Sequence, residues 1–295
     1  DTETLLACIQ HWGLRETLNQ IAGMFAFALW DRHEERLYLA RDRLGEKPIY
    51  YSKVRQGHSQ VLIFASELKA LKAYPGFRAE IDRSSVSLFL EFSYIPAPYS
   101  IYYETFKLEA GTVIEFDRQT TDGHKSCYWK SEEIYLKNLS GIPEGSVGGS
   151  DFVNGLDNVL QLVIREQMSA DVPLGAFLSG GIDSTTIAAI MQAQSGSRLK
   201  TFTIGYNEAA YSEADHAKKV AAYLGTEHTE LYVTDSMAKA VIPKLPFVYD
   251  EPFADPSQIP TVLVSELASN SVKVVLSGDG GDEMFGGYNR YWMAN

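Results

Sequence analysis

The 295-residue chain has few of the residues and segments that several protein classes require. It contains two cysteines, Cys8 and Cys127, which lie too far apart to form the framework of a disulfide-rich domain. Its six histidines follow no metal-ligand spacing. No apolar run approaches the roughly 20 residues of a membrane-spanning helix, and no signal peptide is recognisable. We therefore expect a cytoplasmic protein.

Positive charge is also scarce. The chain has 26 Lys and Arg against 38 Asp and Glu, which gives a formal net charge of −12. This balance argues against a nucleic-acid-binding face. The hydrophobic content of 45% is typical of a soluble globular protein, and the length is sufficient for two domains with ordinary cores.

One stretch combines an apolar strand, a glycine turn and the start of a helix. Pro173–Ser184 reads PLGAFLSGGIDS, with a strand predicted first and a helix from about Ser184 onward. Glycines let phosphate approach the backbone N–H groups, and the helix N-terminus adds partial positive charge. The hydroxyls of Ser179 and Ser184 can also bond phosphate oxygens. The carboxylate of Asp183 would repel phosphate unless a cation such as Mg²⁺ lay between them.

A simpler interpretation of this stretch is a polar turn in which Asp183 or Ser184 caps the helix. The turn has no lysine, so it is not the G-x-x-x-x-G-K-[ST] phosphate loop. The complete S-G-G-x-D-S pattern after an apolar strand is more specific than a lone S-G-G. It therefore favours a phosphate site over a simple turn.

A second stretch repeats the order of strand, glycine turn and acidic residues. Lys273–Tyr288 reads KVVLSGDGGDEMFGGY, and residues 277–287 hold five glycines and three acids in eleven positions. The glycine spacing does not fit the G-x-G-x-x-G pattern of dinucleotide-binding folds. Two acidic turns converging from two strands can hold Mg²⁺ around a pyrophosphate through Asp183 and Asp282. The alternative is an acidic loop that faces water.

The two halves of the chain have different secondary-structure patterns. Residues 1–135 predict an antiparallel α+β layer, with GMFAFALWD and LYLARD as a hairpin and with IYYS, VLIFASE and TVIEFD as further strands. Residues 136–150 are rich in Gly, Ser and Pro and predict an exposed linker. Residues 151–295 alternate helices and strands, which predicts a parallel α/β sheet with ligands at the carboxyl ends of its strands.

The motifs of both halves resemble those of the asparagine synthetase family. GMFAFALWD, RDRLGEKPIYY and FASELKAL occur in the order of that family's glutamine amidotransferase domain. SGGIDS resembles the pyrophosphate loop of ATP pyrophosphatases, and SGDGGDEMFGGY resembles a pattern specific to asparagine synthetases. The resemblance implies a partial N-terminal-nucleophile amidotransferase sandwich over residues 1–135. It implies an ATP-pyrophosphatase (PP-loop) domain over residues 151–295.

The resemblance also implies roles for individual residues of the second half. The implied ATP-binding residues are Phe177, Leu178, Ser179, Gly180, Gly181, Asp183, Ser184, Ile204, Ser277 and Gly278. Asp183 and Asp282 are implied as Mg²⁺ ligands, and Asp279 and Glu283 as catalytic residues. Some relatives have Glu in place of Asp279, which leaves the role of its shorter side chain open. Residues 250–257, DEPFADPS, lie where the family lines the far side of the site, although their acids can equally cap the next helix.

In the first half, the family's nucleophile is a cysteine at the mature N-terminus, whereas this chain begins with Asp1. Cys8 and Cys127 are interpreted as core residues. We therefore expect a fragment that lacks the N-terminal Cys segment and the C-terminal part of the synthetase domain. Asp1 falls where the family contacts the α-ammonium group of glutamine, and it can equally cap the first helix.

Arg41, Asp42 and Lys47 are interpreted as structural residues. A buried pair between Arg41 and Asp42 is expected to fix the turn that follows them.

For the intact protein, the resemblance implies glutamine-dependent synthesis of asparagine from aspartate, with ATP and Mg²⁺ as cofactors. Two alternatives stay open: amidation of another carboxylate, such as a polysaccharide sugar acid or a β-lactam precursor, and a nucleotide-binding module without turnover. The expected partners are small molecules and a second copy of the chain in a homodimer. Neither nucleic acid nor membrane is expected as a partner.

Overall fold

The structure is a computed structural model that describes residues 1–118, 122–139, 149–206 and 213–293. It divides into two compact units. The first unit contains Asp1–Ile142 and Pro246–Asp255, and the second contains Pro143–Leu245 and Pro256–Asn295. The chain therefore returns to the first unit for a short segment after it has built most of the second.

The first unit contains two antiparallel sheets. One has the order β1–β2–β6–β7, with β1 at Ala26–Asp31, β2 at Arg36–Arg41, β6 at Thr112–Phe116 and β7 at His124–Cys127. The other has the order β4–β3–β5, with β3 at Tyr50–Gln56, β4 at Ser59–Ala65 and β5 at Thr105–Lys107. The predicted hairpin is confirmed, because β1 and β2 pair in antiparallel register from Asp31↔Arg36 to Ala26↔Arg41.

Residues from both sheets share one hydrophobic core. Leu39 of β2, Tyr51 of β3 and Phe116 of β6 belong to a single buried cluster. The rings of Tyr51 and Phe116 lie 5.9 Å apart in an edge-to-face arrangement, which is favourable for aromatic pairs. Alternate residues of β2 and β6 point to opposite faces, so their neighbours Ala40 and Val113 are buried in a second cluster with Leu18.

Five helices of the first unit lie within the described residues: α1 (Thr2–Trp12), α2 (Leu14–Gln20), α3 (Leu68–Lys72), α4 (Arg83–Phe92) and α5 (Ser131–Leu139). The Asp82 side chain caps α4, because its carboxylate accepts from the backbone N–H of Ser84 at 2.9 Å. Helix α2 was not predicted. Gly13 ends α1 at a φ of 79° and begins a new helix immediately, so no loop separates the two.

The second unit is built on a fully parallel sheet, as predicted. The strand order is β10–β9–β8–β11, with β8 at Leu174–Phe177, β9 at Lys200–Tyr206, β10 at Glu227–Val233 and β11 at Val274–Leu276. Its helices are α6 (Ser150–Gln167), α7 (Ile182–Gln194), α8 (Ala214–Leu224), α9 (Asp235–Val241), α11 (Gln258–Ser269), α12 (Gly281–Phe285) and α13 (Asn289–Met293). A 3-10 helix at Ile242–Lys244 and α10 (Leu245–Tyr249) precede α11.

The core of the second unit lies between β8 and the helices beside it. Ile164 of α6, Ala176 of β8 and Met191 of α7 are almost completely buried in one cluster. Gly225 ends α8 in the left-handed conformation that glycine adopts readily. In the described part of the chain, no helix is both long enough and apolar enough to cross a membrane.

The predicted linker at residues 136–150 is partly helical. Residues 136–139 form the end of α5, and α6 begins at Ser150. Residues 140–148 of this prediction lie outside the described residues.

A buried polar cluster joins β9 and β10. The Thr201 hydroxyl lies 2.9 Å from Thr226 Oγ1 and 2.9 Å from His228 Nδ1. The other ring nitrogen of His228, Nε2, is buried without a hydrogen-bond partner. Burial lowers the pKa of His228 below its ordinary value, because a charged imidazolium here would lack solvation.

We expect the stability of the second unit to fall as the pH drops below about 6.5. The pKa of His228 is depressed in the folded state, so the unfolded chain takes up the proton first and is favoured by acid. For one proton, the free energy of unfolding changes by at most about 1.4 kcal/mol per pH unit. Urea unfolding between pH 5.5 and 7.5 measures this pH dependence. His228→Gln should remove this part of the pH dependence, and His58→Gln, at an exposed turn, should leave it in place.

Candidate functional site

The strand order of the second unit changes direction at β8. Strands β9 and β10 lie on one side of β8, and β11 lies on the other. The loops that follow the two strands flanking such a reversal leave a crevice at the carboxyl edge of a parallel sheet. Here these loops are residues 178–181, before α7, and residues 277–280, before α12. Together with the helix starts that follow them, they form the two glycine-rich turns that the sequence singled out, residues 178–184 and 277–288.

The first turn can be built only with glycine at position 180. Gly180 has a φ of 85°, and a Cβ there would lie 2.8 Å from the backbone nitrogen of Ala217 and 2.9 Å from His216 Cβ. The turn therefore packs directly against the start of α8.

Helix α7 begins at Ile182 with Gly181 as its N-cap, and no side chain caps it. The interpretation in which Asp183 or Ser184 caps this helix is therefore wrong. Without a side-chain cap, an anion is a suitable partner for the first N–H groups of α7.

The two serine hydroxyls of the first turn bond to each other and to the turn itself. Ser179 Oγ and Ser184 Oγ lie 2.9 Å apart. The backbone N–H of Ser179 donates to Ser184 Oγ at 3.2 Å, and the N–H of Gly181 donates to Ser179 Oγ at 3.2 Å. These bonds hold the turn in a closed shape before any ligand binds.

The second turn packs against the first. A Cβ at Gly278 would lie 2.8 Å from the backbone nitrogen of Ser184 and 2.9 Å from Asp183 Cβ. A Cβ at Gly281 would lie 2.5 Å from Asp183 Oδ2. The structure therefore brings the two turns into contact at the start of α7, and glycine at these positions permits the approach.

The acidic residues of the second turn differ in their surroundings. Asp279 accepts a hydrogen bond from Ser277 Oγ at 2.7 Å, and Glu283 accepts one from Tyr288 Oη at 2.7 Å. The Asp282 carboxylate lies against Gly287, where a Cβ would overlap its Oδ1. The two residues predicted to be catalytic are thus held by neighbours within their own loop.

The donor set is compatible with Mg²⁺. Asp183 and Asp282 lie on the two turns that meet, and carboxylate oxygens are ligands that Mg²⁺ prefers. Among the described residues, no group of three or more His, Cys, Asp or Glu side chains is arranged to hold a metal. In proteins, Mg²⁺ is commonly bound by one or two carboxylates together with phosphate and water oxygens.

A cleft of about 280 Å³ opens beside the first turn. Phe177, Leu178 and Ser179 line it at the end of β8, and Ile204 lines it from β9; all four are among the residues implied for ATP binding. Ser277 and Gly278, also implied for ATP binding, do not line this cleft. Gly278 lies instead against Asp183 and Ser184.

Most of one wall of this cleft was not predicted. Pro260, Thr261 and Val264 line it from α11, beside Ser257 of the predicted stretch 250–257. The available signal was Pro260 near the helix start, since proline is common in the first helical turn. Nothing in the sequence indicated which strand α11 would pack beside.

The acidic stretch at residues 250–257 is not one functional unit. Only Ser257 from it lines the cleft. Asp250 binds Lys69 and Glu251 binds Lys107 within the first unit. Neither acid lines this cleft, and neither caps the next helix, because α11 begins at Gln258 with Ser257 as its N-cap.

In the first unit, Asp1 caps α1, because its carboxylate accepts from the backbone N–H of Thr2 at 2.6 Å. Cys8 and Cys127 are free thiols of intermediate exposure, so neither is fully in the core. Cys127 Sγ lies 3.2 Å from the carbonyl oxygen of Trp129 and donates to it.

Arg41 and Asp42 are structural, as expected, but they do not pair with each other. The Arg41 guanidinium donates to the backbone carbonyls of Lys47, Leu108 and Gly45 at 3.0, 2.6 and 2.5 Å. The fully buried Asp42 carboxylate accepts from the N–H groups of Phe25, Glu46 and Lys47 at 3.2, 2.9 and 2.9 Å. Each side chain thus fixes the turn through backbone groups.

Comparison with known families assigns both parts of the chain. Residues 1–129 match the family model "Glutamine amidotransferase domain", and residues 155–295 match the model "Asparagine synthase". The chain is 39% identical over 294 residues to "Putative asparagine synthetase [glutamine-hydrolyzing] 2" of Methanocaldococcus jannaschii, covering 98% of this chain and 54% of the relative. It is 34% identical over 291 residues to "Asparagine synthetase [glutamine-hydrolyzing] 1" of Bacillus subtilis, covering 99% of this chain and 43% of the relative.

The solved structures that match are more distant. A glutamine-dependent NAD⁺ synthetase from Acinetobacter baumannii in complex with ADP matches at 12% identity and a TM-score of 0.37, over 98% of this chain and 67% of that chain. The NH3-dependent NAD synthetase from Campylobacter jejuni matches at 15% identity and a TM-score of 0.35, over 46% of this chain and 60% of that chain.

Proposed function

The chain belongs to the asparagine synthetase family, and on this premise we propose that it carries the ATP-dependent amide-forming site of a glutamine-hydrolysing asparagine synthetase. It spans about half the length of the curated relatives it matches. The observation that carries the proposal is the contact between the two glycine-rich turns at the carboxyl edge of the sheet, where Gly278 and Gly281 lie against Asp183. A pyrophosphate group needs such a concave, glycine-lined backbone surface.

In the proposed site, the first turn binds the pyrophosphate of ATP. The ligands are the backbone N–H groups of Gly180 and Gly181 at the start of α7 and the hydroxyls of Ser179 and Ser184. The cleft beside it takes the adenosine, with Phe177, Leu178 and Ile204 against the base and ribose. Ser277 and Gly278 support the phosphate side. The cleft volume and its mostly apolar walls support this placement.

Asp183 and Asp282 are the residues that would hold Mg²⁺ beside the bound phosphates. When bound, the ion supplies positive charge that stabilises the leaving pyrophosphate. The turn residues orient the phosphates, since their N–H groups and hydroxyls are already fixed by bonds within the turn. Asp279 and Glu283 are proposed to act where ammonia reaches the acyl-adenylate. Their carboxylates accept hydrogen bonds from Ser277 and Tyr288, which hold them in place.

The proposed reaction has two steps. A carboxylate oxygen of aspartate attacks the α-phosphorus of ATP, the bond to the bridging oxygen breaks, and pyrophosphate leaves. Ammonia from glutamine then attacks the acyl carbon of the adenylate, the bond from that carbon to the phosphate oxygen breaks, and asparagine, AMP and a proton result. The chain contributes mainly positioning and charge stabilisation to both steps.

The first unit is proposed to be the glutamine-hydrolysing part of the protein, with an N-terminal-nucleophile type of sandwich. Asp1 is proposed to contact the α-ammonium group of glutamine as well as to cap α1. The two antiparallel sheets with a shared core support this assignment. We further propose that the protein works in the cytoplasm as a homodimer.

The proposed site is tested by comparing Mg-ATP binding by the unsubstituted chain with Mg-ATP binding by Asp183→Asn. At about a hundred times its Kd, Mg-ATP should stabilise the second unit by roughly 2.7 kcal/mol. Asp183→Asn should abolish the Mg²⁺-dependent part of the shift, because it removes the carboxylate that faces the second turn. Thermal unfolding with ATP, with and without Mg²⁺, measures this.

Asp151→Asn is the matched control, since it removes the same charge from the first turn of α6, the preceding helix of the same unit. This variant should keep the full shift. An unchanged Mg²⁺-dependent shift in Asp183→Asn would contradict the proposed metal site. The absence of any ATP-induced shift in the unsubstituted chain would contradict the nucleotide site itself.

A further inference from the structure

The cleft beside the first turn contains one charged residue. Among the described residues that line it, Glu213 alone carries a formal charge, and the others are apolar, aromatic or hydroxyl-bearing. The charge is negative, as are the charges of the phosphates that the neighbouring turn is proposed to bind. A carboxylate at this place therefore calls for a ligand group that it can accept a hydrogen bond from.

The side chain of Glu213 has no structural task in its own helix. Glu213 is the N-cap residue of α8 by position, but its side chain makes no capping hydrogen bond. Its backbone carbonyl accepts from the N–H groups of His216 and Ala217, both at 3.0 Å. Within the described part of the chain, the carboxylate has neither an ion-pair partner nor a hydrogen-bond partner. It is therefore available to a ligand.

Glu213 lies at the end of the cleft that is next to the first turn. The backbone nitrogen of Ala217, which donates to the Glu213 carbonyl, lies only 2.8 Å from the place where a Cβ at Gly180 would be. Gly180 and Glu213 thus approach the same N–H group, and both belong to the second unit. The carboxylate is accordingly close to the turn proposed for the pyrophosphate.

Other parts of the cleft are suited to a base. Phe177 and Phe202 line it from β8 and β9, and Pro260 and Val264 line it from α11. Apolar and aromatic walls of this kind accept a flat heteroaromatic ring. A nucleotide with its base among these side chains and its phosphates at the first turn has its ribose between them.

The chemistry of a carboxylate then decides which part of the nucleotide it can face. An ionised carboxylate only accepts hydrogen bonds, and it repels phosphate unless a cation lies between them. The donors of ATP are the two ribose hydroxyls and the adenine amino group. The ribose is attached to the phosphates, whereas the amino group is at the far side of the base. The place of Glu213 beside the first turn therefore favours the ribose.

We propose that Glu213 is the ribose-binding residue of the cleft, and that its carboxylate accepts hydrogen bonds from the 2′ and 3′ hydroxyls of ATP. The inference rests on the proposed nucleotide site and adds to it a source of selectivity for ribonucleotides. It also accounts for a negative charge in a cleft for an anionic ligand, because the neutral sugar lies between the carboxylate and the phosphates.

The experiment measures the Kd of Mg-ATP and of Mg-2′,3′-dideoxy-ATP by calorimetry, for the unsubstituted chain and for Glu213→Ala. Because a hydrogen bond to a charged group is stronger than a neutral one, the unsubstituted chain should prefer ATP by about 10- to 100-fold. In Glu213→Ala, the affinity for ATP should fall by a similar factor and the affinity for the dideoxynucleotide should stay nearly unchanged. The preference for ATP should thus disappear.

Asp215→Ala is the matched control. It removes the same charge from the first turn of the same helix, but Asp215 does not line the cleft, so the preference for ATP should stay at its full size. Glu213→Gln keeps an acceptor oxygen without the charge, and its preference should lie between those of the unsubstituted chain and Glu213→Ala. Urea unfolding checks that each variant is folded. If Glu213→Ala does not fold, an unreduced preference in Glu213→Gln overturns the inference.

An unchanged preference for ATP in Glu213→Ala would overturn the inference, whether or not both affinities fall. An equal fall of both affinities would mean that the carboxylate acts on the adenine amino group or on the metal instead of the ribose. Equal affinities of the unsubstituted chain for the two nucleotides would also overturn the inference, while the nucleotide site itself would stand. If the unsubstituted chain binds neither nucleotide, the proposed nucleotide site fails, and the role of Glu213 fails with it.

Discussion

Replacing Gly278 by alanine is expected to weaken Mg-ATP binding by roughly 5- to 150-fold while the chain stays folded. The added Cβ would lie 2.8 Å from the backbone nitrogen of Ser184 and 3.0 Å from the carbonyl carbon of Asp183. These are backbone atoms of the first turn, so no side chain can rotate away. The overlap costs about 1–3 kcal/mol, and it is relieved only if the two glycine-rich turns move apart.

Isothermal titration of Gly278→Ala with Mg-ATP measures the effect. The matched control is Gly196→Ala in the same unit. A Cβ at Gly196 meets nothing within 4 Å and its φ is not in the left-handed region, so its ATP affinity should equal that of the unsubstituted chain. Equal affinities for both variants would mean that the turns do not cooperate in binding ATP.

Replacing Asp42 by alanine is expected to destabilise the first unit by about 3–5 kcal/mol, because each buried donor that loses its partner costs about 1–3 kcal/mol. The Asp42 side chain is fully buried and accepts from three backbone N–H groups, those of Phe25, Glu46 and Lys47. These three hydrogen bonds are partly buried, so water replaces the carboxylate less readily here than in an exposed turn. The second unit should unfold at its usual denaturant concentration.

Urea unfolding followed by probes in each unit measures this change. Asp31→Ala is the control: the Asp31 carboxylate also accepts from two backbone N–H groups, those of His33 and Glu34, but it lies in an exposed turn. Water can satisfy these groups, and the loss should stay below about 1 kcal/mol. Similar losses in the two variants would show that burial at Asp42 does not set the cost.

Much of the site could be predicted from the sequence because its signals are local. In each half of the site, an apolar strand, glycines and acids follow one another within about a dozen residues, and this order predicts a strand, a phosphate-sized turn and a helix. The parallel sheet places both turns at the same edge. The contact of Gly278 and Gly281 with Asp183 therefore follows from a residue order that is already visible in the sequence.

The errors arose where the outcome depends on distant partners. Asp250 and Glu251 are followed by a helix, and caps for that helix were a reasonable prediction, yet they bind Lys69 and Lys107, which lie far away in the sequence. Arg41 and Asp42 are adjacent and oppositely charged, yet each binds backbone groups. Side-chain type alone does not distinguish between such partners.

The sequence by itself determined the family, the two kinds of secondary-structure pattern and the residues of the two glycine-rich turns, because these depend on residue type and short-range spacing. Only the tertiary structure decided that Pro246–Asp255 packs in the first unit and that α11 forms a wall of the cleft. The physical reason is that burial and pairing are properties of residues brought together by folding. A carboxylate such as Glu251 binds whichever cation the fold places beside it, and that cation is 144 positions away in the chain at Lys107 (251 − 107 = 144).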